Sequence, residues 1–330
     1  MQIGNFDSSW RSEGMKDIDP LKMIEFRRVE EIFLSLTRSH DYQEIRTPTI
    51  EPLHLYTATR VLSPQLLHRV YSFLDWDGWS GERVVLRPDS TVPAARLFAE
   101  SEQEISRLCY VQPVYRFSTD EQPRELWQCG VELFGIPAVQ ADVELLTILL
   151  ELLQKVGVDR DRYHIDISHA GLIQLILSYT GMTLEDQRHL YEVILTGETL
   201  SREDFSINDD AVFSSLELLS QIKGESPDYV LNLQSLLKNS SSEIEQSVIE
   251  LRAASKILSD SGVNFNILPG TTANFDYYTG VTFRVVIQDI ECVSGGRYDL
   301  LTKSLGAQQS PASGFAVDLM KLAHISNDGG

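Results

Sequence analysis

Apolar positions along this chain recur with two periods, and the switches between them mark out its elements. Phe26, Val29, Phe33 and Leu36 fall on one face at helical spacing, which predicts an amphipathic helix over 20–39. Asp19-Pro20 gives that helix a start, with Asp as capping acceptor and Pro at the first helical position. A short strand over 42–46 follows and is broken by Thr47-Pro48. Two more strands are expected near 69–74 and 83–87, separated by a polar turn at 75–81. LRPDSTVPAARLFAE then reads as a strand end, a Pro-Asp-Ser-Thr turn and a helix. Residues 107–117 and 125–135 alternate as an antiparallel strand pair joined by 118–124. A strongly apolar helix spans 139–156 and stops at Gly157, before a strand over 163–169 and a helix over 170–179.

From about 182 to 261 the character changes to acidic, Ser- and Leu-rich helical segments, the last a long helix from about Ser242. Strand character returns at 263–268. The stretch 274–299, NFDYYTGVTFRVVIQDIECVSGGRYD, carries a period-two run over 281–287, bracketed by two expected turns at Thr279-Gly280 and Ser294-Gly295-Gly296. SGFAVDLMKL at 313–322 reads as a strand or turn running into a helix. The pattern implies a mixed α+β fold in three parts: a core over 1–181, an all-α insertion over 182–261, and the remainder of the core over 262–330. Residues 1–18 are expected to form a loose arm.

Composition narrows the function. With 330 residues, 42% hydrophobic and 23% charged, the chain is ordinary for a globular protein. The formal net charge of −20 lacks the basic footprint of a nucleic-acid binder, so tRNA or DNA is not expected as the main ligand. Cys109, Cys129 and Cys292 form no CxxC or Cys/His cluster, and reduced, buried thiols in a cytoplasmic protein are expected. No leader pattern opens the sequence and no apolar run reaches the length of a membrane span. His164 and His169, five residues apart on a strand, face opposite sides, so no metal site is expected.

Candidate chemistry sits on a few polar residues. Asp89, Ser90 and Thr91 suit a helix cap; in a pocket, Asp89 and Thr91 would equally accept hydrogen bonds from an amino group. Gln128 and Glu132 share a strand face with Gly130 between them, an arrangement that makes room beside two polar side chains. Tyr277 and Tyr278 offer flat surfaces with hydroxyl handles, or simply the rim of a hairpin. Gly295-Gly296 permits close backbone approach, and Arg297 is a candidate anion contact.

Taken in order, the helix with its Pro48 kink, RPDST, the pair YRFS and WQCGVELFG, then DYYTG, SGGRYD and GFAVDLMKL resemble the catalytic core of class II aminoacyl-tRNA synthetases, histidyl-tRNA synthetase in particular. The resemblance covers about 15–325. It implies an antiparallel sheet flanked by helices, with the helical segment where that family carries an insertion. It further implies a histidine site in which Asp89, Thr91 and Gln128 hold the amino group. Glu132 and Tyr277 would then face the imidazole, with Arg116 near the carboxylate and Tyr278 beside them.

The departures from that family are mostly lost cations. Arg116 is followed by Phe117-Ser118 and not by the family's Glu two residues on. The loop after it is TDEQPR, with Asp120 and Glu121 where phosphates would approach. Ala273 stands in place of the Arg before DYYT, Lys321 in place of the motif 3 Arg, and Asp89 in place of a Glu. The anticodon-binding domain is expected to be missing. A body of this kind is similar to the regulatory-subunit family of short-form ATP phosphoribosyltransferases. The expectation is therefore a chain without catalysis or cofactor of its own, dimeric within a hetero-octamer, which supports the catalytic subunit and transmits feedback inhibition by histidine. The histidine would sit in the synthetase-like pocket or at a subunit interface. A divergent histidyl-tRNA synthetase and a stand-alone histidine sensor remain the other two readings.

Overall fold

The computed structural model describes residues 10, 12–59, 67–76, 78–118, 122–196, 210–221, 224, 226–236, 241–268 and 278–327. The first half contains α1 (Pro20–Ser39), β1 (Gln43–Glu44), β2 (Ile50–Pro52), α2 (Leu53–Ala58), β3 (Ser72–Trp76), β4 (Gly81–Leu86), α3 (Thr91–Ala99), β5 (Ser106–Tyr115), β6 (Glu125–Phe134) and α4 (Ala138–Val156). It continues through β7 (Tyr163–His169), α5 (Leu172–Ser178), α6 (Leu184–Thr196), α7 (Asp210–Gln221), α8 (Pro227–Leu236) and α9 (Ser242–Asp260). β8 (Phe265–Ile267), β9 (Val281–Ile287), β10 (Ile290–Arg297), α10 (Leu301–Ser304), β11 (Ala312–Asp318) and α11 (Leu319–Asn327) complete it.

Local chemistry explains several of these boundaries. Asp19 caps α1 by accepting from the Leu21 and Lys22 N–H groups, both at 3.0 Å. Gly157 ends α4 at φ 87°, a left-handed conformation that glycine adopts without Cβ strain. Gln288 and Asp289, both at positive φ, form the two-residue turn between β9 and β10.

The large sheet runs β1-β5-β6-β11-β10-β9-β7-β8, antiparallel except for the β1–β5 and β7–β8 pairs at its edges. β2, β4 and β3 form a second, smaller sheet. Strand alternation divides the residues of the large sheet between two apolar layers. On one side α1, α4, α9 and α11 cover Cys129, Val131 and Leu133 of β6 and Phe283 and Val285 of β9. On the other, a smaller cluster joins Val92, Ala95 and Phe98 of α3 to Phe134, Tyr298 and Leu301, with Phe98 stacked on Phe134 at 4.5 Å. This second face is only partly covered, and the cleft described below opens there.

Three expectations change. Ser294-Gly295-Gly296 is no turn: it lies inside β10, paired with both β9 and β11. Its glycines serve packing, because a Cβ at Gly295 would stand 2.5 Å from Phe315 Cβ and one at Gly296 would stand 2.9 Å from the Tyr278 ring. The polar stretch at 75–81 contributes to strands at both ends, through Asp75 and Trp76 in β3 and Gly81 in β4. The arm is also partly fastened, since Gly14 O accepts from Arg124 N at 2.9 Å and Glu13 pairs with the Arg124 guanidinium.

The helical stretch between β7 and β8 does not stand apart from the sheet. α9 packs on α4 and on β7, β8 and β9, within the main apolar layer. Among the described residues no helix is long and apolar enough to cross a membrane.

Candidate functional site

The floor of the cleft is set by register. Across β6, β11 and β10, Gly130 lies opposite Ala316 and Ala316 opposite Ser294; Glu132 lies opposite Gly314 and Gly314 opposite Gly296. One face of the central sheet is thereby stripped of bulk. Aromatic hydroxyls fill the vacated space: a Cβ at Gly130 would lie 2.5 Å from the Tyr110 hydroxyl, and one at Gly314 would run into the Glu132 carboxylate.

Glu132 stands at the inner end of this floor with no exposed surface. Thr91 Oγ1 donates to its Oε1 at 2.8 Å and Tyr110 Oη to the same oxygen at 3.1 Å, while Tyr298 Oη donates to Oε2. Thr91 and Tyr298 in turn line the cleft, so Glu132 meets it from behind two hydroxyls and not face on. Burial pushes the Glu132 carboxyl up to about 8, although the hydroxyls bonded to it pull the other way. A cation or an N–H donor arriving at Thr91 and Tyr298 would favour its ionised form.

That environment has a pH consequence. Folded Glu132 holds its proton up to about pH 8, whereas the unfolded chain releases it near 4.5. Between these values the folded state binds more protons, so stability falls as pH rises, by an amount on the order of a few kcal/mol. Urea unfolding of wild type between pH 5 and 8.5 is expected to show this loss. Glu132→Gln, which cannot ionise, is expected to show less of it; parallel curves for the two proteins would contradict the assignment.

The rim is built from α3, β5–β6 and the start of β9. Asp89 Oδ1 accepts from Val92 N at 2.9 Å in the first turn of α3, and the residue lines the cleft. Burial raises its carboxyl above the ordinary range, against the Val92 bond and the nearby Arg116 charge. Arg116 is anchored by Nε donating to Pro88 O at 2.8 Å and reaches the cleft with Gln128 and Tyr278. The structure thus brings together Asp89, Thr91, Arg116, Gln128 and Tyr278, with Glu132 directly behind. Tyr277, Ala273, Asp120 and Glu121 lie outside the described residues.

Arg297 is not an anion contact in the cleft. Its side chain crosses to the opposite face of the sheet, is 3% exposed, and is engaged by Asp142 and Glu250. The physical reason is alternation: Tyr298 takes the cleft side, so its neighbour points into the helical layer. Lys321, at the motif 3 position, donates to Glu291 O at 3.1 Å and lies 3.5 Å from Asp318. Arg124, from the loop before β6, bonds Ser118 O at 2.9 Å and covers the Phe117 ring at 4.5 Å. Among the described residues no group of three His, Cys, Asp or Glu side chains is arranged to hold a metal ion.

Sequence reasoning passed over Tyr110, Ser294 and Tyr298. A signal existed for the first: Gly130 pairs with Tyr110, and a glycine on a strand face marks the room a large cross-strand neighbour needs. For Tyr298 the local pattern SGGRYD carries no such signal, because its bond to Glu132 spans 166 residues of sequence.

Comparison with known proteins gives a consistent account. A family model described as histidyl-tRNA synthetase matches residues 14–322. A protein of Dehalococcoides mccartyi (strain CBDB1), named ATP phosphoribosyltransferase regulatory subunit, is 39% identical over 315 residues, spanning 94% of this chain and 76% of that one. A histidine–tRNA ligase of Sulfolobus acidocaldarius is 31% identical over 323 residues, spanning 95% and 74% respectively. The crystal structure titled ATP phosphoribosyltransferase regulatory subunit/histidyl-tRNA synthetase from Bacillus halodurans superposes with a TM-score of 0.81 at 24% identity, covering 96% of this chain and 83% of that one. The expected synthetase-like α+β fold is therefore the fold found. With its family model matched over nearly the whole chain, and with greater identity to the regulatory-subunit relative than to the Sulfolobus ligase, this chain belongs to the histidyl-tRNA synthetase family.

Proposed function

We propose that this chain is the regulatory subunit of a short-form ATP phosphoribosyltransferase, acting in the cytoplasm in histidine biosynthesis. It binds L-histidine in the cleft, forms a dimer within a hetero-oligomer, and passes the inhibitory signal to the catalytic subunit. The observation that carries this reading is the 39% identity to a regulatory subunit across 94% of the chain. Two features of the site support it. The hydroxyl-caged Glu132 suits a small ligand with N–H donors such as an imidazole. Lys321 and Arg124 are occupied within the protein, where activation of an amino acid by ATP would call for cations around a triphosphate.

The second reading, a divergent ligase, rests on the 31% identity to the Sulfolobus enzyme. Histidine-dependent ATP–pyrophosphate exchange separates the two, and the purified protein is expected to give none. Adding it to a short catalytic subunit is expected to raise phosphoribosyl transfer, and histidine is expected to reverse that gain. Measurable exchange would overturn the reading in favour of the ligase. A catalytic subunit indifferent to the protein would leave a stand-alone sensor.

A further inference from the structure

The end of β10 carries consecutive residues that serve opposite faces of the sheet. Tyr298 extends to the cleft side and bonds Glu132. Arg297 extends to the helical side, where its Nη2 meets Asp142 of α4 and its Nη1 donates to Glu250 Oε2 of α9 at 2.5 Å. His169, at the end of β7, brings its Nε2 to 3.2 Å from the same Glu250 oxygen. The cleft wall is fastened to this residue as well. Thr279 N donates to Arg297 O at 2.8 Å, Thr279 Oγ1 accepts from Asp299 N at 3.0 Å, and Gly280 leaves room for the guanidinium, which a Cβ would approach to 2.7 Å.

The cluster is deeply buried yet incompletely satisfied. Arg297 Nε and His169 Nδ1 are buried and have no hydrogen-bond partner among the described residues. One guanidinium serves two carboxylates of unequal standing. Burial would raise Glu250, but the His169 bond and the Arg297 charge bring it down to about 2, while burial lifts Asp142 to about 7. The cluster thus leaves one guanidinium donor, Arg297 Nε, unused, while two carboxylates from different helices share the rest of that guanidinium.

We propose that Arg297 couples the cleft to helix α9, so that histidine bound on the Tyr298 side changes how α9 is held on the Glu250 side. The proposal rests on the histidine reading above and assigns the last helix of the helical segment as the element that carries the signal away from the cleft. Coupling of this kind is reciprocal, so weakening the α9 contact must also weaken histidine binding.

The test combines calorimetry with hydrogen exchange on the full chain, with and without L-histidine, for wild type and Glu250→Gln. Histidine is expected to slow exchange across 242–260 in wild type and not in the variant, whose histidine affinity falls roughly fivefold or more. If calorimetry shows histidine bound to wild type while exchange in α9 is unmoved, or if the variant keeps the full α9 response, the coupling is overturned and the histidine site stands. If wild type gives no binding heat, the histidine reading itself is overturned and the coupling with it. The wild-type comparison decides without any substitution, so poor folding of the variant leaves the test intact.

Discussion

Gly314→Ala is expected to destabilise this protein by about 3 kcal/mol or more, at the upper end of what one added methyl does in a packed interior. The new methyl would collide with the Glu132 carboxylate, lie 2.7 Å from the Tyr298 hydroxyl and stand 2.5 Å from the Val131 carbonyl. A side chain can turn aside, but the Val131 carbonyl belongs to the strand paired with β11 and cannot move without parting the sheet. Gly157→Ala makes the comparison pointed. Nothing lies within 4 Å of a Cβ there, so only the φ of 87° opposes it, at a cost of about 1 kcal/mol. Urea denaturation of both variants reads the difference as a shift in midpoint at constant slope. Equal midpoints for the two would mean that the cleft floor is not packed in this way.

Glu132→Ala is expected to reduce histidine affinity by at least about tenfold in calorimetry, because the Thr91 and Tyr298 hydroxyls that face the cleft lose the acceptor that orients them. It also leaves the hydroxyls of Thr91, Tyr110 and Tyr298 without their shared acceptor. Each such orphan costs about 1–3 kcal/mol, so stability falls alongside binding. Glu132→Gln keeps the volume and one acceptor oxygen, and is expected to fold nearly as well while still binding histidine more weakly. If wild type binds and Glu132→Ala binds equally well, histidine does not occupy this cleft.

Legibility in the sequence followed the range of the interactions involved. α1 could be bounded at 20–39 because its cap, its first Pro and its apolar stripe are all local; β7 and β9 were likewise visible as runs of alternating residues. The reading of Ser294–Gly296 failed because glycine is ambiguous: the same residue that permits a turn also admits a neighbour's ring, and only the pairing of β10 with β11 decides between them. Gln128 and Glu132 could be placed on one face from spacing alone. That Tyr110 and Tyr298 would close around Glu132 required the β5–β6 register and the path after β10, which no local pattern encodes. Arg297 shows the same limit from the other side, since its acid partners lie 155 and 47 residues away in sequence.

The row of small residues beneath the cleft, Gly130, Gly314, Gly296 and Ala316, limits how the cleft can be reshaped. At its three glycines the depth is already at main-chain level, so no truncation there can enlarge the cavity, and an added carbon would meet the Tyr110 hydroxyl, the Tyr278 ring or the Glu132 carboxylate. Room for a ligand of another shape must therefore be made at the walls, at positions such as Asp89, Gln128 and Tyr278, and not at the glycines of the base.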